Sequence, residues 1–355
     1  MDRINKYLEE YGNNSFVEVP FNRLDKMVLS LISYINFNEI ITNKDKYKIN
    51  DLKKLFFDKY PDKKLKNYIT GTKSAIKFFR NIDNYSRFSN LYIYNYKYKC
   101  TNDEQFSAFF CDIDNNNTLI VFEGTDDLVS GWLEDCELSY MFPIPAQRDA
   151  IKYVNKNINL FSKRKYSLCG HSKGGNLALI SGMYSNILIK NKIISITSFD
   201  GPGFINESFL DYRKYNNIKP IYEHIIPEYS IIGLLLYHDD DYKVIKCSKK
   251  GLEGHDLINW NVGNCDFIYT ELSDTSIKFS KSMKTWLESV TLEERKLFVE
   301  SLFSIFEISN ITDLSQIKED ILPNMFHLIM GIKNIDSKSK KMLKEIIKLI
   351  IDSNK

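Results

Sequence analysis

Residues 166–180 read as a short apolar strand, then Gly170-His171-Ser172-Lys173-Gly174, then a helical pattern. A serine on a sharp strand-to-helix turn has its hydroxyl lifted above the sheet edge, and the positive end of the following helix faces it. Glycine two residues to either side fits such a turn, because a side chain there would collide across it. Ser172 is therefore the candidate nucleophile of an acyl-transfer reaction. A serine hydroxyl is a weak nucleophile until a base takes its proton, and the base needs an acid to orient it.

Five histidines could supply the base. His171 adjoins the serine in the turn, so its ring points away from the hydroxyl and is expected to pack. His224 falls in a strand pattern and His327 in a helical one, both ordinary core or surface positions. His238 opens a run of three aspartates that reads as a solvated turn. His255 follows Gly251-Leu252-Glu253-Gly254 beyond the last strand, and it completes the chain order Ser, acid, His that α/β-hydrolases use. The acid is Asp200, in the tight turn Asp200-Gly201-Pro202-Gly203 closing the strand after the elbow helix, or Glu228, after the next strand; Asp256 is a third option. An oxyanion hole needs two backbone N–H groups. One belongs to Lys173, and the other to the loop at residues 122–127.

The elements that must position these residues follow from periodicity. Residues 1–85 are expected to form a helical N-terminal extension: Phe21, Leu24, Val28, Leu31 and Ile32 recur at helical spacing, and residues 43–66 read as a solvated helical surface. Strand patterns at 91–98, 106–112 and 118–122 suggest an antiparallel entry to a sheet. Strands at 193–199, 221–226 and 242–246 alternate with helical segments, which predicts a mostly parallel sheet covered on both faces across 86–275. Residues 276–355 are expected to be helical, with Trp286, Leu287, Val290, Leu297, Phe298, Leu302 and Phe306 as apolar positions and a capping box at Thr291–Glu294. The predicted class is α/β, an α/β-hydrolase fold with helical N- and C-terminal extensions.

Composition removes other classes. The chain of 355 residues is 43% hydrophobic and carries 48 basic against 46 acidic side chains, so no net field selects nucleic acid. The six cysteines lack C-x-x-C spacing and read as reduced and structural. The charged first ten residues do not fit a secretion signal and no stretch is long enough to span a bilayer, so a soluble, cytoplasmic protein is expected. Asp112, Asp114, Asn116, Thr118 and Glu123 fall on calcium-loop spacing, but Asn117 stands at the turn glycine and strands flank it; a hairpin is expected.

Val121-Phe-Glu-Gly-Thr-Asp-Asp127, Gly131-Trp-Leu-Glu-Asp135, Gly170-His-Ser-Lys-Gly-Gly-Asn176, Asp200-Gly-Pro-Gly-Phe204, the run Ile226-Pro-Glu-Tyr-Ser-Ile-Ile-Gly-Leu-Leu235 and Gly254-His-Asp256 with Trp260 together resemble the bacterial Mbeg1-like family, a lipase-like group of the α/β-hydrolase superfamily similar to class 3 lipases. The resemblance covers most of the chain. It implies Thr125 as an oxyanion residue, Ser172 as nucleophile and residues 126–145 as a lid. Glu123 stands where such sequences usually carry arginine, and Glu228 where they often carry glutamine, which favours Asp200 as the acid. The expectation is a serine esterase or lipase-like hydrolase acting on a small-molecule or lipid ester without a cofactor. Its rival is a hydrolase-fold scaffold that binds without turnover. The apolar residues of the lid, among them Leu128, Trp132 and Phe142, fit either transient contact with a membrane surface or packing into the core.

Overall fold

The strand patterns assemble into one eight-stranded sheet whose strands lie in chain order: β1 (Tyr47–Lys48), β2 (Tyr92–Cys100), β3 (Gln105–Asp112), β4 (Asn117–Phe122), β5 (Lys165–His171), β6 (Ile193–Phe199), β7 (Tyr222–Pro227) and β8 (Lys243–Ile245). The computed structural model describes residues 4–42, 45–61, 70–239, 241–308 and 337–341. Strands β1 to β4 pair antiparallel and β4 to β8 parallel. The antiparallel half is the expected entry. Its β3–β4 turn is closed by Asp114, whose Oδ1 accepts from the N–H groups of Asn116 (2.6 Å) and Asn117 (2.7 Å).

Before the parallel half come α1 (Ile4–Tyr11), α2 (Arg23–Ile32), α3 (Ile49–Lys59), α4 (Thr70–Phe79) and α5 (Ser86–Ser89). After β4 the chain forms α6 (Val129–Glu137) and α7 (Pro145–Asn157), after β5 α8 (Lys173–Tyr184) and α9 (Ile187–Lys190), and after β6 α10 (Tyr212–Ile218). Beyond β8 lie α11 (Gly251–His255), α12 (Asp274–Ser289) and α13 (Leu292–Ile308). This is the α/β-hydrolase arrangement the sequence predicts.

Successive side chains of a strand face opposite ways, and β3 serves two cores accordingly. Phe109 and Cys111 pack with Leu31, Phe56 and Phe79 of the N-terminal helices and with Phe37 of the loop after α2, whereas Phe106, Ala108 and Phe110 pack with α7, α8 and α10. The N-terminal segment therefore packs against one face of the sheet, together with Leu257, Trp260, Val262 and Phe267. It also holds β1, in a stretch expected to be a solvated helical surface; two residues pairing at a sheet edge leave no periodicity to read. A third apolar cluster joins Phe279, Met283, Trp286, Phe298 and Phe303 of α12 and α13 to Val129, Trp132 and Leu133 of α6.

Thr291 and Glu294 form the expected capping box at the start of α13. Of the residues expected to build the C-terminal region, 309–336 and 342–355, with His327, lie outside the described residues, as do the side chains of Leu302 and Phe306. Among the described residues, no helix is long and apolar enough to cross a membrane.

Candidate active site

At the carboxyl edge of a parallel sheet, the loops leaving adjacent strands converge. Thr125 follows β4, Ser172 follows β5, Asp200 follows β6, and His255 ends α11 beyond β8. Ser172 joins β5 to α8 with φ +56° and ψ −131°, a left-handed conformation that costs a residue with a side chain about 1–3 kcal/mol. The surroundings impose it: a Cβ on Gly170 would lie 2.3 Å from the Gly174 backbone, and one on Gly174 would lie 2.3 Å from the Phe122 carbonyl oxygen. Asn176, one turn into α8, donates to the carbonyls of Pro202 and Gly203, both at 3.0 Å. That pair of bonds ties the serine's helix to the turn that carries Asp200.

Asp200 is fully buried, also at positive φ (+50°). Its Oδ1 accepts from Ser230 Oγ (2.5 Å) and the Gly233 N–H (3.0 Å), and its Oδ2 accepts from the Nδ1–H of His255 at 2.6 Å. With both oxygens engaged, the carboxylate fixes the imidazole and leaves Nε2 as the nitrogen able to take a proton. His255 and Ser172 line one cavity. Glu228 is not among the residues lining it; its backbone N–H and carbonyl bond Ile245 and Ser273. Asp256 does line the cavity, but its Oδ2 accepts from Ser74 Oγ at 2.6 Å and its Oδ1 from the Ile258 N–H. Burial pushes the Asp256 carboxyl up to about 6, against the lowering effect of the Ser74 bond.

His171 does more than pack. Its Nε2 donates to the His255 carbonyl at 2.9 Å, its Nδ1 lies 2.7 Å from the Tyr34 hydroxyl, and its ring centroid is 4.2 Å from that of His255. Of the two neutral tautomers, only Nε2–H lets both contacts form, with Tyr34 donating. Burial, reinforced by repulsion from His255, pushes the His171 pKa well below the ordinary imidazole range, so the ring stays neutral.

On the other side of the serine, Thr125 Oγ1 donates to Asp135 Oδ2 at 2.5 Å. Burial pushes the Asp135 carboxyl up to about 6, although Lys173 and Thr125 pull it down. Lys173 opens α8, where a backbone N–H has no acceptor within the helix. Its ammonium group is buried, with donors directed to Gln105 O (3.0 Å), Gln105 Oε1 (2.9 Å) and Glu134 Oε2 (2.9 Å). Burial alone would lower the Lys173 pKa; Glu134 and Asp135 outweigh it and hold the pKa above the ordinary lysine value. Glu134 Oε1 also accepts from the Ala146 N–H at 2.7 Å, so one carboxylate pins α6 to α7, to β3 and to the elbow. Removing one partner of such a buried pair costs about 3–5 kcal/mol. Glu123 is buried beside Asp126, and burial followed by that repulsion pushes its carboxyl well above the carboxylate range, keeping it neutral.

The cavity has a volume of about 330 Å³. Ser172, His255, Thr125 and Lys173 line it together with Trp132 of α6 and apolar side chains from α12 and α13. Residues of the expected lid pack inward: Val129, Trp132 and Leu133 against the C-terminal helices, Met141 and Phe142 against the α7–α8 core.

Sequence reasoning missed Glu134, Asp135, Tyr34, Ser74 and the working side chain of Lys173. A signal existed for two of them, because Glu134 and Asp135 are adjacent acids facing an elbow that supplies a lysine. Tyr34 and Ser74 act across long stretches of chain, and no local pattern marks them.

The model of the Mbeg1-like family matches residues 82–304. Among solved structures, the chain is similar to the Rhizomucor miehei lipase in its propeptide complex, at 15% identity and a TM-score of 0.38, over 62% of this chain and 66% of that one. It is also similar to M37 lipase, at 17% identity and a TM-score of 0.39, over 60% of this chain and 70% of that one. The chain thus spans about two thirds of the length of these structures. No curated protein matches.

Proposed function

The chain belongs to the Mbeg1-like family, and from that membership and the geometry of the site we propose that it is a serine hydrolase that cleaves carboxylic esters. The observation that carries this reading is the 2.6 Å bond from His255 Nδ1 to buried Asp200, on the same cavity as a serine held at φ +56°. In the proposed reaction, Ser172 Oγ attacks the carbonyl carbon while His255 Nε2 takes the hydroxyl proton. The backbone N–H groups of Thr125 and Lys173 bind the oxyanion of the tetrahedral intermediate. Collapse breaks the ester C–O bond, and the imidazolium returns its proton to the departing alcohol. Water then attacks the acyl-enzyme, His255 takes the water's proton, and Ser172 recovers it as the carboxylic acid leaves.

Asp200 accepts a hydrogen bond from the Nδ1–H throughout, so it fixes the tautomer and stabilises the imidazolium. Thr125 enters through its backbone; its hydroxyl, held by Asp135, sets the orientation of that loop. The chemistry calls for no cofactor.

A fluorophosphonate probe tests the assignment. Wild type is expected to form one adduct that Ser172→Ala abolishes, and Asp200→Asn, which forces the wrong tautomer, should lower kcat by about 10⁴-fold. A wild-type protein, folded by its melting curve, that takes no label would refute the hydrolase.

A further inference from the structure

We propose that the cavity beside Ser172 is a subsite for one unbranched acyl chain of medium length, and that α12 and α13 form the wall setting the length it accepts. The proposal rests on the reading of Ser172 as an acyl-transfer nucleophile and adds which part of the ester enters the fold. Phe279, Met283 and Trp286 recur at i, i+4 and i+7, so one face of α12 is turned to the cavity, and Phe298 of α13 joins them. Each of these four side chains is apolar. The segment between β7 and β8 contributes Ile231 and Leu235.

The polar atoms of this wall are already used. Trp286 Nε1 donates to Ser339 Oγ at 3.1 Å and Trp132 Nε1 to the Asp126 carbonyl at 3.1 Å, so neither indole keeps a donor for a ligand. Such a wall recognises hydrocarbon, and the polar groups of the cavity, Thr72 and Asp135 among them, come from α4 and α6 instead. A volume of about 330 Å³ falls at the small end of the ~300–1,000 Å³ range of small-molecule sites. It has room for one chain and not for the several chains of a triglyceride, which places the alcohol part outside. Met283, with three rotatable bonds, makes the wall adaptable over a few methylenes.

Chain length is therefore readable in kinetics. Across p-nitrophenyl esters from acetate to palmitate, kcat/KM of the wild type should rise about fourfold for each methylene buried and fall again before palmitate. Met283→Trp should move the optimum to a shorter chain and Phe279→Ala to a longer one, with melting temperatures confirming that each variant is folded. A flat wild-type profile, or one optimum shared by wild type and both folded variants, overturns the subsite while leaving Ser172-dependent hydrolysis intact. Turnover that persists in Ser172→Ala is the separate result that removes the hydrolase reading, and the subsite with it.

Discussion

Both ends of the chain bring helices to the site, and they do different work there. The N-terminal layer reaches the histidine loop through polar bonds: Tyr34 holds His171, which holds the His255 carbonyl, and Ser74 holds Asp256. The C-terminal pair offers the cavity only apolar side chains, and its buried charged group serves its own attachment. That group is Arg295, whose guanidinium donates to the carbonyls of Ser139 (2.8 Å), Ile205 (3.3 Å) and Val290 (3.4 Å), and to that of Leu287. Two of these carbonyls close the end of α12, where a cation complements the negative end of the helix dipole. A hydrogen bond fixes a direction, whereas apolar contact fixes a volume. Damage to the N-terminal layer should therefore appear in kcat, and damage to the C-terminal pair in which substrate is preferred.

The largest expected effect breaks the apolar side. Phe303 is buried in the third cluster and is not among the residues lining the cavity. Phe303→Ala should cost about 3–5 kcal/mol through lost transfer free energy and the void left behind. If the C-terminal pair is a unit of its own, amide hydrogen exchange will accelerate in residues 274–308 and stay slow in β3 to β6. Equal acceleration in both would merge the pair with the core of the sheet and end the comparison.

The two regions were unequally legible in the sequence. The elbow could be read because its demand is local: two glycines, a serine, a strand before and a helix after. The β-branched, apolar run 193–199 gave β6 with the same bounds. Of the α12 cavity face only Trp286 is among the expected apolar positions, and its use as a cavity wall was not readable, because an apolar stripe looks the same whether it meets a core or a ligand. The polar brace left almost no trace. Tyr34 and His171 are separated by 137 residues and Ser74 and Asp256 by 182, and a tyrosine or serine in an amphipathic helix looks ordinary until the fold supplies its partner. Choosing Asp200 over Glu228 had the same limit. Both follow strands at the carboxyl edge of the sheet, and only the path of the loop carrying His255 brings one of them to its Nδ1.

Removing the Tyr34 hydroxyl sharpens the comparison from the polar side. Tyr34→Phe keeps the ring and leaves the buried His171 Nδ1 without its donor, freeing the chain of contacts that aims His255. Small displacements of a catalytic group are expensive, so kcat should fall roughly 10- to 100-fold while KM stays near its wild-type value. Steady-state kinetics on one ester decide it. An unchanged kcat with a lowered melting temperature would make the contact structural only, and a raised KM alone would erase the contrast with the C-terminal wall.

The smallest expected effect concerns the second polar contact, Ser74 to Asp256. Burial under the N-terminal layer raises the Asp256 carboxyl from its ordinary value of 3.8 to about 6. Below both values the group is protonated whether the chain is folded or not, and it contributes nothing to the pH dependence. As pH rises above about 4 the unfolded chain gives up this proton while the folded protein keeps it, so stability falls until about pH 6 and is level beyond. The amide introduced by Asp256→Asn does not titrate, can still accept from the Ile258 N–H and can donate to Ser74. The melting temperature of this variant relative to wild type should therefore climb between about pH 4.5 and pH 6.5, by on the order of 2–4 °C, and then hold constant to about pH 8. A difference that does not change with pH would mean that water reaches Asp256 in the folded state. The N-terminal layer would then touch the histidine loop without sealing it, leaving Tyr34 as its one effective hold on the site.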